Sequence, residues 1–114
     1  MAIYPGEIYR VDLPPAGTHL FVVLSREELN RGKQVLAAMI TSTRLNVRSR
    51  LPNCVFLHSG EFGITQDCVV QCENVVAIET EELRGEPVGR LDTAMMREVL
   101  KALGYVFDAN YEPT

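Results

Sequence analysis

Cys68 and Cys72 stand four residues apart, a spacing that would suggest a metal pair if the segment were helical. The string Asp67-Cys-Val-Val-Gln-Cys reads as a strand instead, in which four residues span about 13 Å. Zinc ligands must lie within about 2.3 Å of one ion. With Cys54 the count is three, and an odd number in a chain of cytosolic type argues against a disulfide framework. All three are expected as buried or half-buried structural thiols, with no metal and no cofactor. A second chemistry is more plausible, the binding of an anion. Residues 26–50 hold Arg26, Arg31, Lys33, Arg44, Arg48 and Arg50 against Glu27 and Glu28, a local balance of +4 that leaves −8 for the rest of a chain of net charge −4. Such asymmetry marks either an anionic partner on one face or a solvated loop charged for solubility.

The elements that must position these groups are mostly strands. Gly6 to Leu13 reads as a first strand, ended by Pro14-Pro15-Ala16-Gly17, because neither proline can donate to a ladder. His19 to Leu24 is nearly all apolar and suits a strand buried on both faces. Ser25 followed by Glu28 resembles a capping box, predicting one or two helical turns that Asn30 and Gly32 stop. Gln34 to Ser42 makes a third strand, and the basic stretch from Thr43 to Leu51 follows as a loop. Asn53 to His58 and Asp67 to Asn74 pair around Gly60 and Gly63. Val75 to Glu79 reads as another strand, Thr80 to Leu83 as one helical turn, and Pro87 to Leu91 as a short extended piece. Asp92 is a good N-cap for a last helix whose apolar stripe is Met96, Val99, Leu100, Leu103 and Phe107. Connections this short exclude most βαβ crossovers, so the sheet is expected to be mainly antiparallel.

The length of 114 residues fits one domain, 1–114, able to bury a core without disulfides or metal. The longest apolar runs, Leu20 to Leu24 and Val35 to Ile40, fall far short of the roughly 20 residues of a membrane span. Residues 1–6 do not resemble a signal peptide, so a cytoplasmic location is expected.

Several short strings, in order, resemble the MazF/PemK toxin family. They are Gly6-Glu7-Ile8-Tyr9 with Val11-Asp12-Leu13, Phe21 to Ser25 with Asn30-Arg31, Ala38 to Ser42, Gly63 to Val69, and Gly89 to Asp92 leading into Met95-Met96. Together they cover roughly residues 5–107. The resemblance implies a mainly β fold, a small SH3-like and mostly antiparallel barrel with a short helix and a C-terminal amphipathic helix. It also implies a homodimer, an antitoxin partner whose disordered tail folds onto the toxin, and metal-independent cleavage of single-stranded RNA. In that reaction the RNA's own 2′-hydroxyl attacks, leaving a 2′,3′-cyclic phosphate and a 5′-hydroxyl. A proton acceptor, a proton donor and a stabiliser of the phosphorane are needed.

By the same resemblance, Thr41 is the functional hydroxyl at the end of the third strand, able to donate to a phosphate oxygen; as a plain strand residue it would need no further role. Ser42 and Thr43 are its neighbours in that task. The family's Arg-Pro pair is His19-Leu20 here, and the preceding loop is short. An unperturbed imidazole titrates near 6.5, so His19 as acid or base would keep cleavage while moving its pH optimum. Otherwise it is a histidine at a strand entrance in an inactive domain. His58 is a second acid–base candidate. Arg44, Arg48 and Arg50 are expected to bind RNA phosphates, and one of them to replace the missing arginine in space. No aromatic residue lies among them to stack a base. Two other readings keep the barrel. One is a protein that binds antitoxin or RNA without cutting, and the other a gyrase inhibitor resembling CcdB, whose family relies on a C-terminal tryptophan that this chain lacks.

Overall fold

The computed structural model describes residues 2–83 and 85–113. Six strands form one antiparallel sheet: β1 (Glu7–Asp12), β2 (Thr18–Val23), β3 (Gln34–Thr41), β4 (Cys54–Leu57), β5 (Cys68–Glu79) and β6 (Gly89–Arg90). Their order across the sheet is β4-β5-β3-β2-β1-β6. Three helices accompany them, α1 (Glu27–Asn30), α2 (Leu45–Arg48) and α3 (Thr93–Val106), with a 3₁₀ turn at Thr80–Glu82. None of the helices is long and apolar enough to cross a membrane.

Alternation along the strands builds two cores, one on each face. Ile8, Val22, Ala38 and Val70 point to one, with Val99 and Ala102 of α3. Tyr9, Phe21, Val23 and Val35 point to the other. This is why β2 is apolar at consecutive positions: both of its faces are covered from Phe21 to Val23. Each fully buried aliphatic side chain of this size stabilises the fold by about 1.5–3 kcal/mol relative to exposure.

The sheet is curled into a half-barrel, and two features of the sequence curl it. On β5 the register jumps, with Val75 opposite Ala38 but Gln71 opposite Met39, so Cys72, Glu73 and Asn74 face no residue of β3. A bulge of this kind bends and twists the strand. The two edge strands then approach each other through glycine. A Cβ on Gly89 would land on the Phe62 carbonyl, and one on Gly63 would land on the Val88 carbonyl. The β4–β5 connection thus rests directly on β6, backbone to backbone, which only glycine permits.

The expected antiparallel barrel with its terminal helix is present. The expected strands over Asp67 to Asn74 and Val75 to Glu79 are one continuous β5, because the bulge bends the chain without breaking its pairing. The stretch from Thr43 to Leu51 is not all loop: Arg44 adopts a left-handed conformation (φ 55°) and α2 follows it. Ser25 is not the N-cap of α1, whose cap position is Arg26. Ser25 Oγ instead donates to Asn30 Oδ1 and accepts from the Leu36 amide. The buried Asn30 amide in turn donates to the carbonyls of Ile3 and Ser25, at 2.9 and 2.8 Å. Asp92 does cap α3, its carboxylate accepting from Met95 N at 2.8 Å. The helix buries Val99 and Ala102 and half-buries Met95, Met96 and Leu103, whereas Leu100 and Phe107 of the expected stripe are 55 % and 70 % exposed.

Candidate active site

The ends of β1 and β3, the start of β2 and the approach to β5 converge on one rim of the half-barrel. The register fixes the arrangement. Arg10 on β1 lies opposite Leu20 on β2, Leu20 opposite Ile40 on β3, and Ile40 opposite Val70 on β5. One step towards the rim, His19 lies opposite Val11, and Thr41 opposite Val69. A cleft of about 350 Å³ opens there, lined by Arg10, His19, Thr41, Ser42 and Thr43, among others. Since side chains alternate, Arg10 and Ser42 belong to one face of the sheet and His19 and Thr41 to the other. The strand ends let both sets meet at the rim.

The lining contains one arginine, one histidine, five hydroxyls and the Gln66 amide, and not a single carboxylate. In a chain with fifteen Asp and Glu residues such a lining favours an anionic ligand. Arg10 is exposed, and among the described residues it makes no ion pair. Ion pairs at and around α1 join Arg26 to Glu28 and Arg31 to Glu27, far along the chain from Arg10. A guanidinium with no ion pair, beside hydroxyl donors in a lining without carboxylates, suits a phosphate.

The tight turn after β1 places the His19 ring over its own entrance, with Nε2 2.9 Å from the Ala16 carbonyl oxygen. A carbonyl can only accept, so this nitrogen carries the proton and Nδ1 of the neutral ring keeps its lone pair. Thr41 Oγ1 lies 3.0 Å from Thr43 Oγ1 and accepts from the Thr43 amide at 3.3 Å. Arg48, on α2, donates from Nη1 to Thr43 Oγ1 and, at 2.9 Å, to the Thr43 carbonyl. Ser42 Oγ accepts from Gln66 Nε2 at 3.3 Å.

The rim therefore brings together His19, Thr41, Ser42 and Thr43. Arg48 is joined to it through Thr43, while Arg44 and Arg50 are exposed and outside the lining. His58 is elsewhere, exposed at the end of β4 with its ring edge-on to Phe56 at 4.7 Å. Sequence reasoning missed Arg10 and Gln66. The signal for Arg10 was its phase, since it shares the alternation of the inward-facing Ile8. Cys68 reaches the lining but is buried, and burial, with Asp67 beside it, pushes its thiol up to about 11. Cys72 is pushed up to about 12, chiefly by burial. Neither is a thiolate nucleophile at neutral pH.

The profile of the PemK-like, MazF-like toxins of type II toxin–antitoxin systems matches residues 4–107. The chain belongs to this family. A curated relative, the endoribonuclease MazF9 of Mycobacterium tuberculosis, is 30 % identical over 86 % of this chain and 90 % of its own. Among solved structures, the M. tuberculosis toxin MazF-mt6 is 28 % identical with a TM-score of 0.76, covering 90 % of this chain and 96 % of its own. A mycobacterial endoribonuclease in complex with its cognate antitoxin has the same fold, with a TM-score of 0.81 at 24 % identity, over 96 % of this chain and 99 % of its own.

Proposed function

We propose that this MazF/PemK-family chain is the toxin of a type II toxin–antitoxin pair, an endoribonuclease that cuts single-stranded RNA by attack of the RNA's own 2′-hydroxyl. The observation that carries the reading is the carboxylate-free cleft in which Arg10, His19 and Thr41 meet. A phosphodiester placed there meets the Arg10 guanidinium and several hydroxyl donors. His19 Nδ1 takes the proton of the 2′-hydroxyl as its oxygen attacks phosphorus. Thr41 donates to a non-bridging oxygen, and the Arg10 guanidinium offsets the charge that the phosphorane gathers. The 5′-oxygen leaves with a proton from water, giving a 2′,3′-cyclic phosphate and a 5′-hydroxyl. Because the nucleophile is the RNA's own, the reaction needs no metal-generated hydroxide. Arg44 and Arg50 extend the basic surface beyond Thr43 along the path of the backbone, Arg48 is held on Thr43, and Ser42 lines the cleft while accepting from Gln66.

The protein partners in this reading are a cognate antitoxin and a second copy of the chain. Leu100 on α3 and Phe107 just past its end leave exposed apolar side chains for such contacts. Sedimentation of the purified chain with and without an antitoxin reads both; a monomer at every concentration would remove the second copy. The substrate places the action in the cytoplasm.

The direct test is incubation with a long single-stranded RNA in the presence of EDTA, with mapping of the ends. Site-specific cuts with cyclic-phosphate ends are expected, reduced on the order of a hundredfold or more in Thr41→Val and in His19→Ala. RNA left intact by the unaltered protein at every sequence tried would rule out cleavage and leave a binding protein.

A further inference from the structure

Thr43 and Arg48 are joined to Thr41 by a continuous set of hydrogen bonds, and their direction has a consequence. Arg48 can only donate, and Thr43 Oγ1 receives one of its N–H groups. A second bond from the same Nη1, 2.9 Å to the Thr43 carbonyl, holds the guanidinium against this residue rather than in solvent. A cation donating to a hydroxyl oxygen makes that hydroxyl a better donor in turn. Thr41 Oγ1 lies 3.0 Å from Thr43 Oγ1, a contact across which either hydroxyl can donate, and with Thr43 as the donor the Arg48 charge is passed on to Thr41. Thr41 Oγ1 also receives the Thr43 amide, at 3.3 Å. With Thr43 donating, both acceptor sites of Thr41 Oγ1 are filled from the Thr43 side, and its hydroxyl is left to donate into the cleft.

We infer that Arg48 and Thr43 are positioning residues, which orient the Thr41 hydroxyl as an obligatory donor to the phosphate of the RNA and polarise it from behind. The inference rests on the cleavage reading given above. It separates Arg48 from Arg44 and Arg50: its charge acts through two hydroxyls and touches no phosphate. The left-handed turn at Arg44 serves this arrangement, since it starts α2 and so brings Arg48 back over Thr43, five residues earlier. As charge builds on the non-bridging oxygen, the polarised chain strengthens each bond in the same sense, so the effect is greater in the transition state than in the bound ground state. Loss of the relay should therefore appear in the rate and not in the affinity.

The test uses Thr43→Val, which keeps the shape and removes the hydroxyl, Thr43→Ser, which restores it, and Arg48→Met. Single-turnover cleavage at saturating protein is measured beside the affinity for an RNA blocked by a 2′-deoxy group at the cut site, over a range of salt. Thr43→Val and Arg48→Met are each expected to slow cleavage on the order of tenfold, with affinity and its salt dependence changed less than about twofold. Thr43→Ser should recover most of the rate, and the double variant should be no slower than the worse single one. Thermal unfolding of each variant shows that the fold is kept. If Arg48→Met is unfolded, Arg48→Lys, which keeps charge but not the two-pronged contact, takes its place. The relay is overturned if Thr43→Val cleaves like the parent, or if Arg48→Met loses affinity and about one unit of salt slope while cleaving normally at saturation. Failure of the unaltered protein to cut any RNA is a different result, which overturns the cleavage reading and the relay with it.

Discussion

Arg10 carries a testable distinction, because it is the one guanidinium that lines the cleft while Arg44 and Arg50 lie outside it. Neutralising a phosphate contact lowers the salt slope of RNA binding by about one unit. Both Arg10→Gln and Arg50→Gln should show that loss on a 2′-deoxy-blocked RNA. Only Arg10→Gln should also slow cleavage at saturating protein, since Arg50 meets the backbone away from the reacting phosphorus. Equal cleavage rates for the two variants would place Arg10 outside the chemistry. At this scale the sequence was half legible. Thr41 and His19, singled out by the family resemblance, both line the cleft. Arg10 was not legible because a lone arginine in an opening strand, outside the basic stretch, looks like any solvated residue. Only the cross-strand register, which sets it in a row with Leu20 and Ile40, shows where it reaches. Local charge density drew notice to the basic stretch, of which Arg44 and Arg50 lie outside the cleft lining.

Among the elements, glycine separates what closes the half-barrel from what merely occupies it. Gly89 sits where the β4–β5 connection rests on β6, and any Cβ there meets the Phe62 carbonyl. Backbone cannot yield as a flexible side chain can, so Gly89→Ala should cost about 1–3 kcal/mol. Gly104 lies inside α3, where an added Cβ finds only the Ala109 Cβ at 3.6 Å, ordinary contact. Gly104→Ala should stabilise by about 0.4–1 kcal/mol, by restricting the unfolded chain. Chemical denaturation of the two variants is expected to shift in opposite directions, and a neutral Gly89→Ala would show that the strand edges do not lean on each other. The antiparallel sheet was legible in the short connections, and α3 in Asp92 and its periodicity, whereas the order of the strands was not. The features that escaped are those set by tertiary contacts. A one-turn helix such as α2 has too few residues for a period, and Ser25 matched a capping pattern but is held by Asn30 and Leu36. The bulge at Cys72–Asn74 has no signature in sequence, because both sides of it are equally good strand.

Taken whole, the molecule separates its charge from its chemistry: a chain of net charge −4 lines one cleft without a carboxylate and buries the thiols of Cys68 and Cys72. The second separation predicts how stability depends on pH. Burial raises Cys68 to about 11 and Cys72 to about 12, from an ordinary value of 9.0. Burial, then the nearby Glu7, raises Tyr9 from 10.0 to about 12. Each group holds its proton in the folded chain at a pH where the unfolded chain has lost it, so in that window the folded state binds more protons. Stability then falls as pH rises. The contribution is complete below pH 9 and disappears progressively towards pH 12. Urea midpoints should accordingly be level from pH 7 to about 9 and decline above it. Cys72→Ala should start lower, having lost buried volume, but decline less steeply. A thiol reagent at pH 8 should label Cys54, which is only half-buried, while Cys68 and Cys72 wait for unfolding. Midpoints that stay level to pH 11, or prompt labelling of all three thiols in the folded protein, would mean that the core around β5 admits water and that burial does not hold these protons.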